Sequence, residues 1–460
     1  MEAMTSLWFE SALLPQGWAA QVRILARAGC IEDIRSGVAA EAGDERHAIG
    51  LPGLPNLHSH AFQRGLAGLT ERRGLHTDSF WSWRELMYQF VERMDPDDLE
   101  AVSALAYAEM LEAGFTQVGE FHYLHHDRDG APFADPGELA GRIAAAAEYS
   151  GIGLTLLPVF YAHGGFGGAA FAPRQRRFIT EPERYAQILS AARTATRSIA
   201  GAVVGVAPHS LRAVTPTELS AVLQLARGAP VHLHIAEQVK EVEDCLAWSG
   251  RRPIEWLLEH APVDEHWCLV HATHATTAEL AGIAQRGAVV GLCPITEASL
   301  GDGIFPARTF REYQGRFGIG SDSNVRLDAA EELRLLEYSQ RLEHRARNVL
   351  AAAGGASTGR TLFEAALKGG TQALHKVGPA GSTPGLAVGN WLDVVSLRAD
   401  DPALIARRED EILDSWIFCG GRAAIDCVWR AGSKVVISGR HRERDAIQAR
   451  YAQSMRRLLA

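Results

Sequence analysis

The sequence has few lysines, no long run of like charge and no long apolar run. Lysine occurs only at positions 240, 368, 376 and 434 of the 460 residues. The formal charge is −9 and charged residues are interspersed, so we expect no nucleic-acid partner, which would require a basic surface. No stretch stays apolar over the roughly 20 residues that a membrane-spanning helix needs, so we expect no membrane partner either.

Cysteine is also scarce. The six cysteines are scattered and none belongs to a Cys-x-x-Cys pair. This spacing favours reduced thiols in a cytoplasm over a disulfide framework. The first 18 residues lack a charged segment followed by an apolar core, so we expect no signal peptide. The composition therefore favours a cytoplasmic enzyme or binding protein.

The middle of the chain alternates short apolar runs with Ala- and Leu-rich helical stretches. There are eight such runs, at residues 51–60, 115–123, 152–163, 202–210, 230–237, 267–274, 288–296 and 316–324. Apolar strands that alternate with amphipathic helices predict a parallel sheet covered by helices, and eight units fit a (β/α)8 barrel. An open doubly wound sheet is disfavoured, because its polar residues would gather at one switch point.

Both ends of the chain have the pattern of short strands. After the last barrel helix, three strand-like segments follow: LDVVSL, ILDSWIFCGG and DCVWRAGSKVVISG. These strands are too few to stand alone. We therefore expect a composite β domain from residues 1–50 and 376–440, a barrel domain of residues 51–375, and a final helix over residues 441–460.

Two histidines end the first apolar run, LPGLPNLHSHAF. Side chains two apart on a strand point to the same face, so His58 and His60 aim at one point. The pair alone fits a polar loop as well as a metal site. Barrel active sites lie at the carboxyl ends of strands, where further candidates stand: Tyr123, His163, His209, His234, Glu237, His271, His274 and Asp322.

The combination of these strand ends predicts a metal site. Imidazole and carboxylate are preferred ligands of zinc and similar divalent ions. His232 and His234 share one face of a strand, and we favour His234 as the ligand because it lies nearer the strand end. Asp322 alone could cap a turn. Glu237 could begin the next helix, or serve as a proton shuttle for a water beside the metal.

Other polar residues are harder to interpret. Arginine forks match carboxylates, and an arginine stands in WSWRELMY and another in HSLRAV, although most arginines in this Arg-rich chain are expected at the surface. The Gly-rich segment after His163 fits a lid or a plain loop. For His122, His125 and His126 we favour solvated loop residues over a second metal site.

These motifs together resemble the amidohydrolase superfamily, in its deaminase branch. The resemblance rests on HxH in the first strand, HxxE in the fifth, His in the sixth and Asp in the eighth. More narrowly, LPGLPNLHSHAFQRGLAG, FWSWRELMY, HLHIAEQVKEVEDC, LVHATH and GSDSNV resemble the N-formimino-L-glutamate deiminases. The resemblance implies a distorted (β/α)8 barrel flanked by a composite β-sandwich, and a homodimer.

The resemblance also implies roles for individual residues. The implied metal ligands are His58, His60, His234 and Asp322; the implied catalytic residues are Glu237, His271 and Asp322; the implied substrate-binding residues are Gln63, Arg84, Tyr123, His209 and Arg212. Binuclear relatives bridge two metals with a modified barrel lysine. None of the four lysines here ends the predicted second, third or fourth strand, so we expect one divalent ion per chain, with Zn²⁺ favoured.

The implied reaction is hydrolysis of N-formimino-L-glutamate to N-formyl-L-glutamate and ammonia, in histidine degradation. Two alternatives stay open: a deaminase of an amino-heterocycle such as a purine, pterin or triazine, and a non-catalytic barrel. A nucleobase would call for aromatic stacking and amide contacts rather than two arginines. Glu237 argues against the non-catalytic barrel, because a purely structural site needs no acid beside an open metal position.

Overall fold

The computed structural model describes residues 4–72, 78–376, 378–379 and 383–460. The strands are β1 (Met4–Leu14), β2 (Gly17–Arg27), β3 (Cys30–Arg35), β4 (Glu45–Pro52), β5 (Leu54–Ser59), β6 (Phe115–His122), β7 (Gly153–Phe160), β8 (Val203–Val204), β9 (Ala207–Pro208), β10 (Val231–Ile235), β11 (Trp267–His271), β12 (Val289–Leu292), β13 (Arg316–Ile319), β14 (Val394–Leu397), β15 (Ile425–Arg430), β16 (Ser433–Ile437) and β17 (Arg440–His441).

The helices lie mostly between the strands of the central barrel. They are α1 (Phe80–Val91), α2 (Pro96–Glu112), α3 (Glu138–Ser150), α4 (Pro182–Ala195), α5 (Pro216–Ala226), α6 (Val239–Ser249), α7 (Pro253–His260), α8 (Thr277–Arg286), α9 (Pro294–Leu300), α10 (Ala307–Glu312), α11 (Ala329–His344), α12 (Thr358–Ala373), α13 (Asp410–Ser415) and α14 (Arg444–Leu459). Among the described residues, no helix combines the length and apolar character needed to cross a bilayer.

The barrel is built from two parallel arcs. One arc contains β5, β6 and β7, with β8 and β9 both paired to β7, and the other contains β10 to β13. Single bridge pairs join the arcs: Ser59 with Asp322 on one side, and Val206 with Val231 and Ser210 with His234 on the other. All eight predicted runs thus supply barrel strands, and the predicted distorted (β/α)8 fold is confirmed.

A glycine allows the first and last barrel strands to meet. A Cβ atom on Gly320 would lie 2.8–2.9 Å from the backbone and Cβ of His58, closer than real Cβ contacts allow. Without it, the N–H groups of Ser321 and Asp322 donate to the His58 carbonyl at 3.0 and 2.9 Å. The His60 N–H donates in turn to the Asp322 carbonyl at 2.9 Å. This junction brings two candidate ligand segments side by side.

Both chain ends join in one eight-stranded sheet, in the order β17-β16-β15-β14-β4-β1-β2-β3. The central strand β4 pairs with β1 in parallel and with β14 in antiparallel orientation. The sheet has a core of its own, in which Phe9 and Ile24 from the amino-terminal strands pack with Val394 and Trp429 from the carboxyl-terminal strands. The expected composite β domain is confirmed, whereas its exact boundaries stay a prediction.

One predicted strand segment is wrong. ILDSWIFCGG lies in helix α13 and in the wider helical turn Trp416–Gly420 that follows it. The buried residues Ile412, Leu413, Trp416 and Ile417 recur at offsets of one, four and five, which is the period of a helix. A short, nearly continuous apolar run hides this period, so it could be taken for a buried strand.

Candidate active site

Four side chains from both barrel arcs converge at the carboxyl ends of the strands. His58 belongs to β5 and His60 follows it, His234 belongs to β10, and Asp322 follows β13. The Nε2 atom of His58 lies 3.2 Å from Nε2 of His60, 3.0 Å from Nε2 of His234 and 3.4 Å from Oδ1 of Asp322. Ligand atoms at tetrahedral angles around a zinc ion lie about 3.3 Å apart. The four donors therefore fit one divalent ion.

The outer nitrogens of two of these histidines are engaged with the backbone. Nδ1 of His60 faces the Phe121 carbonyl at 2.9 Å, and Nδ1 of His234 faces the His209 carbonyl at 3.1 Å. A nitrogen that faces a carbonyl must carry the proton, so both Nε2 atoms present lone pairs to the centre. Lone pairs that converge in a buried space favour a cation between them, and outer hydrogen bonds of this kind orient metal-bound histidines.

The protonation states also suit a metal. Burial, with the neighbouring His60, lowers the pKa of His58 to about 3 although Asp322 opposes the shift. Burial and the surrounding imidazoles lower the pKa of His234 well below its usual value. Burial acts to raise the pKa of Asp322, but the neighbouring imidazoles of His58 and His60 outweigh it and hold that pKa well below its usual range. Neutral imidazole and ionised carboxylate are the forms that bind metal.

Several residues at these strand ends have left-handed backbone conformations that non-glycine residues rarely adopt. The φ angles are 49° at Ala236, 69° at His271 and 45° at Asp322. Such conformations cost about 1–3 kcal/mol each and cluster at functional sites. Here they turn the chain at the end of a strand so that His271, Asp322 and the residue after Ala236 face a common space.

Glu237 and His271 lie beside the metal-ligand cluster. The Glu237 carboxylate is 3.9 Å from Nε2 of His271, which is also 3.9 Å from Asp322. Burial raises the pKa of Glu237 to about 7, against the opposing effect of His271. Burial acts to lower the pKa of His271, but Glu237, Glu297 and Asp322 outweigh it and raise that pKa to about 10. Glu237 can therefore take up and release a proton near neutral pH, whereas His271 keeps its proton there.

Two further glutamates support this pair. Glu241 accepts the backbone N–H groups of Ala236 and Glu237 at 3.2 and 3.1 Å, which fixes the turn that carries Glu237. Oε1 of Glu297 lies 3.2 Å from Nδ1 of His271 and accepts the Cys293 N–H at 2.9 Å. Sequence reasoning missed both residues, because an acid in the first turn of a helix is common without any catalytic role.

Above the ligand cluster lies one cavity. Ten of the eleven predicted site residues line it: His60, Gln63, Arg84, Tyr123, His209, Arg212, His234, Glu237, His271 and Asp322. The eleventh, His58, is fully buried behind them. Gln63 donates to the Tyr123 hydroxyl at 2.7 Å. The cavity also has aromatic and apolar lining that sequence reasoning missed: Phe80, Trp83, Met87, Tyr88, Tyr161, Phe178 and Leu300.

Arg84 and Arg212 carry the positive charge of this cavity. Arg212 is only 8% exposed. In the described part of the chain neither guanidinium forms an ion pair or a hydrogen bond, and the Nε atom of each is buried without a partner. Two cations without a carboxylate of their own are available for an anionic ligand.

The remaining sequence candidates lie outside the cluster. His232 points away from it and faces the Ala373 carbonyl at 2.8 Å. His125 and His126 face the carbonyls of Val159 and Ile179 at 2.7 and 2.6 Å, so these histidines are buried and hydrogen-bonded. His122 is buried as well, so the expectation of solvated loop residues is wrong for all three histidines. The His163 ring lies 2.9 Å from Glu218 at the start of α5.

Comparisons with known proteins agree with this geometry. Residues 49–371 match the model of the Amidohydrolase family, and residues 4–48 match the model described as the N-terminal domain of formimidoylglutamate deiminase HutF. The formimidoylglutamate deiminase of Pseudomonas aeruginosa is 51% identical over 99% of this chain and 100% of its own length.

Solved structures give the same result for the fold. A crystal structure of an amidohydrolase from Brucella melitensis has a TM-score of 0.95 and 55% identity, covering 99% of this chain and 100% of that one. An adenosine deaminase from Xanthomonas campestris, 22% identical over 99% of this chain and 98% of its own, has a TM-score of 0.81 and shows the fold alone. The chain therefore belongs to the amidohydrolase family and, within it, to the formimidoylglutamate deiminases.

Proposed function

We propose that the chain hydrolyses N-formimino-L-glutamate to N-formyl-L-glutamate and ammonia. One observation carries this proposal. The same cavity is lined by the proposed hydrolytic residues and by two arginines that have no carboxylate partners. Formiminoglutamate has a C=N group at one end and two carboxylates, and guanidinium groups match carboxylates in charge and geometry. An amino-heterocycle would leave both arginines unmatched.

The candidate metal ligands are His58, His60, His234 and Asp322, whose donor atoms lie within 4.8 Å of one another. Three neutral imidazoles and one carboxylate are typical donors for zinc, so we propose a single Zn²⁺ per chain. When bound, such an ion supplies Lewis acidity, which acidifies water and polarises the group under attack.

Glu237 is proposed to move the protons. Its carboxylate takes a proton from water as the water oxygen bonds to the formimino carbon, and delivers that proton to the imino nitrogen. Collapse of the tetrahedral centre breaks the bond from carbon to this nitrogen, while the second proton of the water follows through Glu237. Both protons of the water therefore leave in ammonia, and its oxygen stays in the formyl product.

His271 is proposed to stabilise the charge that develops on oxygen. Its Nε2 atom faces the space between Glu237 and Asp322, and a positively charged imidazole there interacts more strongly with the transition state than with the substrate. Gln63, Tyr123 and His209 line the same cavity and are proposed to position the substrate. We propose that Asp322 both binds the metal and shares in proton handling.

Other features follow from family membership rather than from the site. A deiminase of this substrate acts in histidine degradation, for which we propose a cytoplasmic location. We propose the same location for this chain, together with a homodimeric assembly, as the resemblance to the family implies. No nucleic-acid or membrane partner is proposed.

The test is ammonia release. Purified zinc-loaded protein is mixed with N-formimino-L-glutamate, and with a purine, a pterin and a triazine in parallel. Only the first compound should yield ammonia.

Glu237→Gln should lower kcat by about 10²–10⁴, the usual contribution of general acid–base catalysis, while metal content stays at one ion per chain. The exposed Glu343 offers a matched control, because Glu343→Gln should leave kcat unchanged. Preferential turnover of a heterocycle would contradict the proposal.

A further inference from the structure

Both arginines of the cavity lie against one indole ring. The Cζ atom of Arg84 is 4.6 Å from the centre of the Trp81 ring, and that of Arg212 is 5.7 Å from the same ring. Arg84 also lies 5.6 Å from the Tyr88 ring. Both distances to Trp81 are within the range of about 6 Å at which a cation is attracted to an aromatic face.

The three residues come from two separate parts of the fold. Trp81 and Arg84 are three residues apart on α1 and so share a helix face, whereas Arg212 follows β9 in the barrel. Arg84 and Arg212 line the cavity, but Trp81 is not among its lining residues. The indole therefore contacts both guanidiniums without lining the cavity itself, and it links α1 to the barrel at this point.

The indole of Trp81 contacts the two arginines without bringing a charge of its own. A carboxylate would hold either arginine more tightly, but it would also cancel the positive charge that a ligand must meet. The acid with the strongest influence on Arg212 is Glu241, whose carboxylate already accepts two backbone N–H groups. An aromatic face attracts a guanidinium through its quadrupole and leaves the net charge intact.

We propose that Trp81 is a positioning residue that holds Arg84 and Arg212 side by side, uncompensated, for the two carboxylates of the substrate. Its indole thereby sets the preference for a dicarboxylic formimino acid over a formimino compound without carboxylates. This inference rests on the proposed function for the identity of the substrate. The preference for a dicarboxylate can be measured without turnover.

The experiment compares zinc-loaded wild type with Trp81→Leu and Trp81→Phe. Trp81→Leu should raise KM for N-formimino-L-glutamate about tenfold, with kcat within about twofold, because two cation–π contacts are lost. Trp81→Phe keeps an aromatic face and should stay within about threefold of wild type. For N-butylformamidine, which has the same reactive group and no carboxylate, kcat/KM should change less than about twofold in both variants.

Binding is measured in parallel by calorimetry with N-acetyl-L-glutamate, an unreactive dicarboxylate. Its Kd should rise about tenfold in Trp81→Leu and little in Trp81→Phe. Trp248 is a half-buried indole on α6 that stacks on Phe166, so Trp248→Leu is the matched control and should leave Kd and KM unchanged.

Some outcomes would overturn the inference. They are an unchanged Kd in Trp81→Leu, an equal loss in Trp81→Leu and Trp81→Phe, an equal loss of kcat/KM for N-butylformamidine, and no dicarboxylate binding by wild type. If wild type binds the dicarboxylate through Trp81 but releases no ammonia from N-formimino-L-glutamate, the proposed function fails while the role of Trp81 stands.

Discussion

Individual buried glutamates beside the metal-ligand cluster have different partners and hence different expected roles. Glu237 faces the cavity, Glu241 accepts backbone N–H groups beneath it, and Glu297 faces the ring of His271. Glu297 is 6% exposed, and its carboxylate accepts from Nδ1 of His271. A carboxylate in this relation to a histidine fixes the ring orientation and favours the charged imidazole.

Replacing Glu297 should therefore impair turnover. In Glu297→Gln the side chain keeps its shape and can still accept the Cys293 N–H, but it loses the charge opposite His271. We expect kcat to fall about 10–100-fold, the usual effect of removing such an outer partner, with KM and metal content nearly unchanged. Steady-state ammonia release and metal analysis measure both quantities. A variant with full kcat would show that His271 does not depend on Glu297.

A second buried glutamate provides the control. Glu332 on α11 accepts the Ile295 N–H at 2.9 Å and is fully buried near α9, without a hydrogen bond to His271. Glu332→Gln keeps this acceptor and should leave kcat within about threefold. The comparison separates the charge beside His271 from a general disturbance of α9.

Among the secondary-structure elements, helices α2 and α14 pack together through opposite charges. Arg444 of α14 donates at 3.0 Å to both Glu109 and Glu112 on α2. These acids also meet Arg64 and Arg422, respectively. The network fastens the carboxyl-terminal helix to a buried helix of the barrel, and the pairs are largely removed from water, where ion pairs are screened least.

We expect Arg444→Met to lower the free energy of unfolding by about 2 kcal/mol, since hydrogen bonds to buried charged groups are lost. Burial acts to raise the pKa of Glu109, but Arg64 and Arg444 outweigh it and lower that pKa. A lowered folded pKa stabilises the protein above the unfolded value of about 4.3 and ceases to do so as the pH falls through the folded pKa.

Urea unfolding followed by circular dichroism should thus show the same loss at pH 7 and pH 5.5, and a smaller one below about pH 4. Arg440 forms an exposed pair with Asp445 on the same part of the chain, so Arg440→Met should leave stability unchanged at every pH. Equal losses in the two arginine variants would mean that burial of the pairs has no influence.

The secondary-structure elements that could be predicted from the sequence are those whose apolar residues repeat with a clear period. The eight barrel strands follow from buried apolar runs separated by helices, and their order along the chain already indicates which ends meet. The segment ILDSWIFCGG was misread, because its helical spacing of Ile412, Leu413, Trp416 and Ile417 cannot be told from a buried strand over so few residues. The proposed roles of Trp81 and Glu297 depend on tertiary contacts, and the sequence around each residue gives no sign of those contacts.

In the molecule as a whole, the metal-ligand cluster spans the two arcs of the barrel. Two candidate ligands come from the arc that begins with β5, and two come from the arc that ends with β13. Within the described residues, the two seams between the arcs have isolated bridge pairs and a few backbone hydrogen bonds instead of a continuous ladder. A bound ion would therefore join parts of the barrel that backbone pairing joins weakly.

Metal removal should consequently destabilise the whole protein. After chelation we expect the midpoint of thermal unfolding to fall by about 5–10 °C, the effect of losing a ligand present far above its Kd, and to recover on addition of Zn²⁺. Differential scanning fluorimetry measures the shift. Asp322→Ala removes one ligand and should abolish most of this metal-dependent recovery. If the protein has the same midpoint of thermal unfolding before and after chelation, the ion contributes nothing to holding the two arcs of the barrel together.

The parallel bridge between Ser59 and Asp322 also bears on how the enzyme is made. As the chain leaves the ribosome, the three candidate histidine ligands emerge well before the aspartate, which follows the last barrel strand. A nascent chain therefore has an incomplete ligand set until that strand closes against the first.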